Sequence, residues 1–84
     1  MFRYIVPADD KRHTLDLTSG PEHVAAAHDY AVEFWAEHHD GMPVFRRAYQ
    51  VFGTGHDLPV DAQWVGTCQR LPSGLVWHLY EVAP

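Results

Sequence analysis

The segment EHVAAAHDYAVEFWAEHH, residues 22–39, decides whether this chain is mainly β or also contains a helix. Its alanines favour a helix, and Ser19 and Glu22 have the spacing of a capping box. Pro21 suits the first turn of such a helix, because proline at that position loses no hydrogen bond. A helix over residues 21–38, packed on a sheet, would make an α+β domain.

The same segment also alternates as two strands would. On both sides of a turn near residues 28–30, every second position could point to the same face of a strand. In the second half these positions hold Val32, Phe34 and Ala36, which would share one face of a strand. The residues of the segment therefore leave a helix and a β-hairpin both open.

Strand patterns flank this segment on both sides. Five stretches are rich in β-branched, aromatic or alternating residues: 2–7, 11–17, 44–52, 62–70 and 75–82. The first two are expected to pair as a hairpin across the turn at residues 8–10. Gly66 interrupts the fourth and predicts a bulge or a close approach of another chain segment. The last stretch, LVWHLYEV, is the most β-prone and is expected to be central.

Length and charge limit the classes of partner. The chain has 84 residues, which make one domain over residues 1–84, and 46% of them are hydrophobic, which argues against disorder. The net charge is −5 with six basic residues, too few for a nucleic-acid face or an anionic membrane. A small anionic ligand needs only one or two arginines and a few N–H groups. A chain this short, with unpaired strand edges, is also expected to form a homo-oligomer.

Cysteine and histidine residues give no sign of a metal or a cofactor. Cys68 is the single cysteine, so no intrachain disulfide is expected, and its apolar surroundings predict a buried thiol. His38, His39 and Asp40 are adjacent, but neighbouring strand residues point to opposite faces, so a solvated loop is predicted there. No signal peptide or apolar transmembrane run is visible, which predicts a cytoplasmic protein.

The stretch YQVFGTGHDLPVDAQWVGTCQRLPSGLVWHLYEV, residues 49–82, resembles a family of small uncharacterised proteins found mainly in phages, prophages and bacteria. The matching elements are Phe-Gly-Thr-Gly-His at 52–56, Gly-Thr at 66–67 and Trp-His-x-x-Glu at 77–81. The resemblance implies a phage-type context and no particular chemistry. Relatives look β-rich over residues 22–39, so it favours the hairpin there. The predicted fold is a small, mainly β, antiparallel domain of about five to seven strands.

The loop Gly53-Thr54-Gly55-His56 is the first candidate site. Glycines permit positive φ, so that successive N–H groups can converge on an anion, to which the threonine hydroxyl and the imidazole could also donate. A purely structural loop, in which the side chains satisfy backbone groups, is the alternative that these residues favour slightly more. A P-loop is excluded, because no Gly-Lys-Ser/Thr follows.

Three further residues complete the candidate sites. Arg47 could hold a phosphate if it projects beside the glycine loop. His78 occupies a place in the resemblance pattern analogous to that of His56, and the two could form a histidine pair. Trp35 lies between acidic residues on its strand, and an exposed tryptophan there would suggest an interface.

Three functions are compatible with these residues. The favoured one is a non-enzymatic binding protein of phage type that acts on the host and captures a small anionic or nucleotide-like ligand at the glycine loop. The second is an inhibitor that binds a host protein through an acidic, aromatic surface. The third is a hydrolase that uses His56 and His78 for acid–base chemistry. A phage-encoded protein would act in the host cytoplasm.

Overall fold

A computed structural model describes all residues 1–84 and contains seven strands and no helix. The strands in chain order are β1 (Phe2–Pro7), β2 (His13–Leu17), β3 (His23–His28), β4 (Ala31–Ala36), β5 (Phe45–Gly53), β6 (Gln63–Thr67) and β7 (Trp77–Val82). They form two antiparallel sheets with the orders β1-β4-β3 and β2-β5-β7-β6. The mainly β prediction is confirmed, and β7 is an inner strand as expected. No helix capable of crossing a membrane is found.

Residues 22–39, for which the sequence allowed either a helix or two strands, contain a β-hairpin. β3 and β4 pair through a turn at residues 29–30, where the Tyr30 N–H donates to Nδ1 of His28 at 3.1 Å. Val32, Phe34 and Ala36 are each fully buried on one face of β4. A helix would have separated these side chains around its axis, so burial of the alternate positions outweighs the helix propensity of the alanines.

The main core lies between the two sheets. From the three-stranded sheet it takes Val6 and the buried face of β4, and from the four-stranded sheet Tyr49, Val51 and Leu79. Cys68, which follows β6, is 2% exposed and belongs to the same cluster, as its apolar sequence context predicted. Each inner face supplies every second residue of its strands, which is the pattern of a packed β-sandwich.

The predicted hairpin of β1 with β2 is wrong. β1 pairs with β4, and β2 pairs with β5 in the other sheet. The connection between them turns out of the plane of the first sheet: Asp10 has a φ of +59°, and Oδ1 of Asp9 accepts hydrogen bonds from the Lys11 N–H at 3.1 Å and from Nε2 of His13 at 2.8 Å. That hydrogen bond from His13 lowers the pKa of Asp9. The acidic turn therefore carries the chain between sheets.

The outer face of the four-stranded sheet has a smaller core of its own. Ala48, Phe52 and Val82 are buried there, with Tyr80 meeting Phe52 edge to face at 5.5 Å. The connection between β5 and β6 covers this face, and its Ala62 packs against the cluster. β5 and β7 are therefore packed on both faces, and the candidate loop follows the first of them.

Tyr49 is the one buried side chain with an unpartnered polar atom. Its ring is fully buried, and its hydroxyl oxygen has no hydrogen-bond partner among the protein atoms. Burial raises the pKa of Tyr49 to about 12, so the phenol stays neutral over the ordinary pH range. An unpaired buried hydroxyl costs about 1–3 kcal/mol, which the packing of the ring has to exceed.

Gly66 is required by close approach between the sheets. The register of β6 against β7 shifts between Trp64 and Gly66, which is the bulge expected at this glycine. A Cβ at Gly66 would lie 2.6 Å from Cγ2 and 2.8 Å from Cβ of Val24 on β3. Contacts this short force either the side chain or the strand to move.

We predict that Gly66→Ala lowers the free energy of unfolding by about 1–3 kcal/mol through overpacking. Val24→Ala should restore part of that loss in the double variant, because it removes the atoms that the new methyl group meets. Urea denaturation of the two single variants and the double variant measures the coupling. Strictly additive losses would show that the contact with Val24 is not the cause.

Candidate functional site

The Gly53–His56 segment is a tight turn at the end of β5. The His56 N–H donates to the Gly53 carbonyl at 3.2 Å, and the Gly53 N–H donates to Nδ1 of His56 at 3.0 Å. Gly55 has a φ of +87°, as predicted for a glycine of this loop, whereas Gly53 is not in the left-handed region. The imidazole therefore both closes the turn and fixes its own orientation.

The absence of a side chain on Gly53 makes room for the His56 ring. A Cβ there would lie 3.1 Å from Cε1 of His56 and 3.4 Å from Cζ3 of Trp77. Because a backbone N–H can only donate, Nδ1 of His56 must be an acceptor in this hydrogen bond. The neutral ring therefore carries its proton on Nε2, which is free of intramolecular partners and can donate to a ligand.

His78 lies next to this turn and has both ring nitrogens in hydrogen bonds. Its cross-strand neighbours are Phe52 on β5 and Thr67 on β6. Nε2 lies 3.0 Å from the Thr54 hydroxyl, and Nδ1 lies 2.9 Å from the Thr67 hydroxyl. Nε1 of Trp64 donates to the same Thr67 hydroxyl at 3.0 Å. The structure thus joins Thr54 to His78, while no hydrogen bond joins the two imidazoles.

Two clefts adjoin the turn and share Gly53, Thr54 and His56. The larger, which we call the large cleft, has a volume of about 420 Å³, and the small cleft has about 150 Å³. The large cleft is completed by Arg70, Gly74, Leu75, Val76 and Trp77. The small cleft is completed by Phe52, Gly55, Leu58, His78 and Tyr80. Thr54 and His56 therefore border both, so a ligand in either cleft would contact them.

Arg70 supplies the positive charge of the large cleft. Arg3, Arg46 and Arg47 each have a carboxylate oxygen within 3.4, 3.7 and 2.6 Å, respectively. Arg70 is exposed and forms no ion pair and no side-chain hydrogen bond within the chain. Its guanidinium is therefore the arginine beside the glycine turn that is available to an anion.

Arg47 lies elsewhere than the sequence suggested. It is six residues before Gly53 on β5, which places it roughly 20 Å away along the strand. Its guanidinium forms a two-bond pair with the Glu81 carboxylate at 2.8 and 2.6 Å, and these hydrogen bonds raise the pKa of Arg47. The same group lies 5.9 Å from the centre of the Tyr49 ring. Arg47 thus braces β5 against β7 and does not reach the glycine turn.

Trp35 is in the middle of the outer face of the three-stranded sheet. It is half-buried, with Arg3 and His23 as its cross-strand neighbours and the His23 ring 5.3 Å from its own. Its neighbour Glu33 pairs with Arg3 at 3.4 Å. This face is separate from the glycine turn, so Trp35 belongs to a different surface from the other candidate residues.

Metal ligands are not gathered anywhere in the structure. No group of three or more His, Cys, Asp or Glu side chains has an arrangement that could hold an ion. His38 lies 3.3 Å from Asp40 in the segment after β4, and its ring stacks on Phe2 with the centroids 4.8 Å apart. The histidine-rich segment therefore forms local contacts at the surface.

The sequence alone did not indicate that Arg70, Thr67 and Trp64 lie near the glycine turn. Trp64 and Thr67 are three positions apart, so in a regular strand they would point to opposite faces. The register shift between Trp64 and Gly66 brings them together on the outer face. The glycine at the bulge was the one signal of this in the sequence.

One known protein family matches the whole chain. Residues 1–84 match the family described as a domain of unknown function, DUF7352. The chain belongs to this family. No curated protein and no solved structure matches it. The match confirms that the chain belongs to an uncharacterised family and assigns no activity, so the function has to be argued from the site.

We predict that Gly55→Ala and Gly41→Ala destabilise the protein equally, by about 1 kcal/mol each. Their φ values are +87° and +81°, and a Cβ at either position meets no atom within 4 Å, so backbone strain is the only cost in both. Thermal denaturation of the two variants measures this. A much larger loss for Gly55→Ala would mean that the turn depends on Gly55 through something other than its backbone angles.

Proposed function

We propose that this protein is a non-enzymatic binding protein that captures a small anionic, nucleotide-like ligand in the large cleft. The observation that carries the proposal is the unpaired Arg70 guanidinium in the same cleft as His56 and Thr54. Arginine, a neutral imidazole with its proton on Nε2 and a threonine hydroxyl are all donors. An anionic group such as phosphate or carboxylate matches such a set.

The remaining wall of the large cleft favours a ligand with a flat apolar part. Trp77 contributes its ring, and Leu75 and Val76 contribute apolar surface. Nε1 of Trp77 donates to the Asp29 carbonyl at 2.7 Å, which holds the indole in one orientation. A fixed aromatic ring is a stacking surface for a base, and about 420 Å³ is within the usual size range of small-molecule sites.

The biological setting is part of the same proposal. The sequence resembles proteins of phages and prophages, and small proteins of that kind often act on the host. A phage-encoded member with a ligand cleft would act in the host cytoplasm by removing a small molecule from it. The net charge of −5 makes long nucleic acids poor partners, so a mononucleotide or small cyclic dinucleotide is the preferred class.

A protein–protein inhibitor is the second candidate, and exposed apolar side chains favour it. Leu58, Val60 and Trp64 lie on or beside the connection between β5 and β6 and are 45%, 106% and 62% exposed. Exposed aromatic and aliphatic side chains of this kind are typical of interfaces. A host protein could bind there while the large cleft stays empty.

The hydrolase alternative has less support from the geometry. His56 uses Nδ1 to accept from the Gly53 backbone, and His78 is flanked on both sides by threonine hydroxyls. Neither imidazole faces the other across a hydrogen bond. Acid–base chemistry by the pair would require both rings to leave these partners.

We predict that Arg70→Gln weakens binding of a nucleoside monophosphate by about tenfold or more, because a charge-assisted hydrogen bond is lost. Arg12→Gln is the matched control: it removes the same charge from an exposed arginine outside the cleft and should leave the affinity unchanged. Isothermal titration with AMP and with cyclic dinucleotides provides the measurement. An equal effect of both variants would reduce the role of Arg70 to net charge, and no binding by the wild type would refute the proposal.

We also predict self-association, most simply as a twofold dimer. β1 and β3 form the outer strands of one sheet, and β2 and β6 those of the other, so four strand edges are open to pairing. Phe2 and Ile5 on β1 are 52% and 45% exposed, so this edge strand also presents apolar surface. Sedimentation equilibrium at micromolar concentration should give twice the chain mass of 9.6 kDa. A single species of 9.6 kDa would contradict the prediction.

A further inference from the structure

We propose that Trp64, Thr67 and His78 form a one-way hydrogen-bond chain that ends at Thr54 and makes its hydroxyl a donor to the ligand. The inference rests on the proposed function for the identity of the cleft, and it goes further by naming the chemistry of the bound group. That group is a hydrogen-bond acceptor with negative charge, namely a phosphate or carboxylate oxygen. A ligand that presents an amine or an amide N–H at this point would bind less well, because the proton of Thr54 would be left without an acceptor in the ligand.

Trp64 sets the direction of the chain. An indole N–H can only donate, so the Thr67 hydroxyl oxygen accepts at the 3.0 Å contact. The single proton of that hydroxyl is then best used toward the other neighbour, Nδ1 of His78, at 2.9 Å. A hydroxyl that accepts from one group and donates to the next strengthens both bonds, which favours this arrangement over one in which Thr67 accepts twice.

His78 continues the chain in the same direction, by accepting a hydrogen bond at Nδ1 and donating one from Nε2. When Nδ1 of neutral His78 accepts, the ring proton is on Nε2 and points to the Thr54 hydroxyl oxygen at 3.0 Å. Thr54 then accepts inside the chain, and its own proton is left for a group outside it. Thr54 is exposed and borders both clefts, so that group is a bound ligand or solvent.

Both histidines therefore help to direct hydrogen-bond donors toward a ligand. His56 accepts from the Gly53 N–H and presents Nε2–H, while His78 accepts from Thr67 and turns Thr54 into a donor. Arg70 adds a permanently charged donor in the large cleft. The Arg70 guanidinium and the Nε2–H of His56 can only donate, and the Thr54 hydroxyl has its proton directed outward, so the three groups together favour an anionic acceptor.

The direction of the chain can be read without any ligand. Long-range ¹H–¹⁵N correlation NMR at mildly alkaline pH, where an ordinary imidazole is neutral, reports which nitrogen of His78 carries the proton. The wild type and Thr67→Ser should show the Nε2–H form. Trp64→Phe and Thr67→Val should show a growing share of the Nδ1–H form, because the donor to Nδ1 is weakened or removed. A wild type with its proton on Nδ1 would overturn the one-way chain.

The acceptor nature of the ligand is tested by a second pair of variants. Thr54→Val removes the hydroxyl with little change of shape, and Thr54→Ser keeps it. AMP, inorganic phosphate and uncharged adenosine serve as probes in calorimetric titration. Thr54→Val should lower the affinity for AMP by about tenfold and leave the affinity for adenosine unchanged. Thr54→Ser should bind both with the affinity of the wild type. If inorganic phosphate is the only probe that binds, and Thr54→Val lowers its affinity by the same factor, the ligand is a free anion.

The outcomes separate this inference from the proposed function. An equal loss of AMP and adenosine in Thr54→Val would overturn the role of Thr54 as a donor to an anion. A wild type that binds none of the three probes would overturn the ligand assignment together with the proposed function. The NMR result on His78 stands apart from both, because it concerns the free protein.

Discussion

Phe34 on β4 and Tyr49 on β5 meet between the two sheets, with their ring centroids 5.2 Å apart and neither side chain exposed. Tyr4 stacks on Phe34 from β1, also at 5.2 Å, so one row of aromatic rings joins three strands across the sandwich. Burying each such ring contributes about 1.5–3 kcal/mol, which is a large share of the stability of a domain this small. The unpaired Tyr49 hydroxyl shows that this packing is retained at a cost.

The contact between the two sheets also explains why the sequence predicted the fold only in part. The alternation of Val32, Phe34 and Ala36 was visible, but alanine-rich residues also form good helices, and only burial against a second sheet decides between the two. The hairpin of β1 with β2 was wrong because nearness in sequence was taken for pairing. Two aspartates in the connection instead turn the chain toward the other sheet.

The candidate site was predictable where it depends on local chemistry. The glycine turn and its histidine are local, since His56 and Gly53 are three residues apart, and the turn was expected. The partners that arrive from other strands were not: Thr67 reaches His78 across β6 and β7, and a bulge decides its face. Arg47 and Arg70 are equivalent as charges in the sequence. Only the structure shows that Arg47 is paired with the Glu81 carboxylate.

The site is coupled to the core through the alternation of β7. Trp77 and Leu79 face the space between the sheets, whereas His78 faces outward to the two threonines. The indole of Trp77 is in turn held by the Asp29 carbonyl in the turn of the β3–β4 hairpin. The three-stranded sheet therefore fixes one wall of the large cleft, and the outer face of the four-stranded sheet fixes the hydroxyl at its border. Because the polar side chains of the large cleft are exposed and the packing lies beneath them, substitutions of Thr54 or Arg70 should alter binding more than stability.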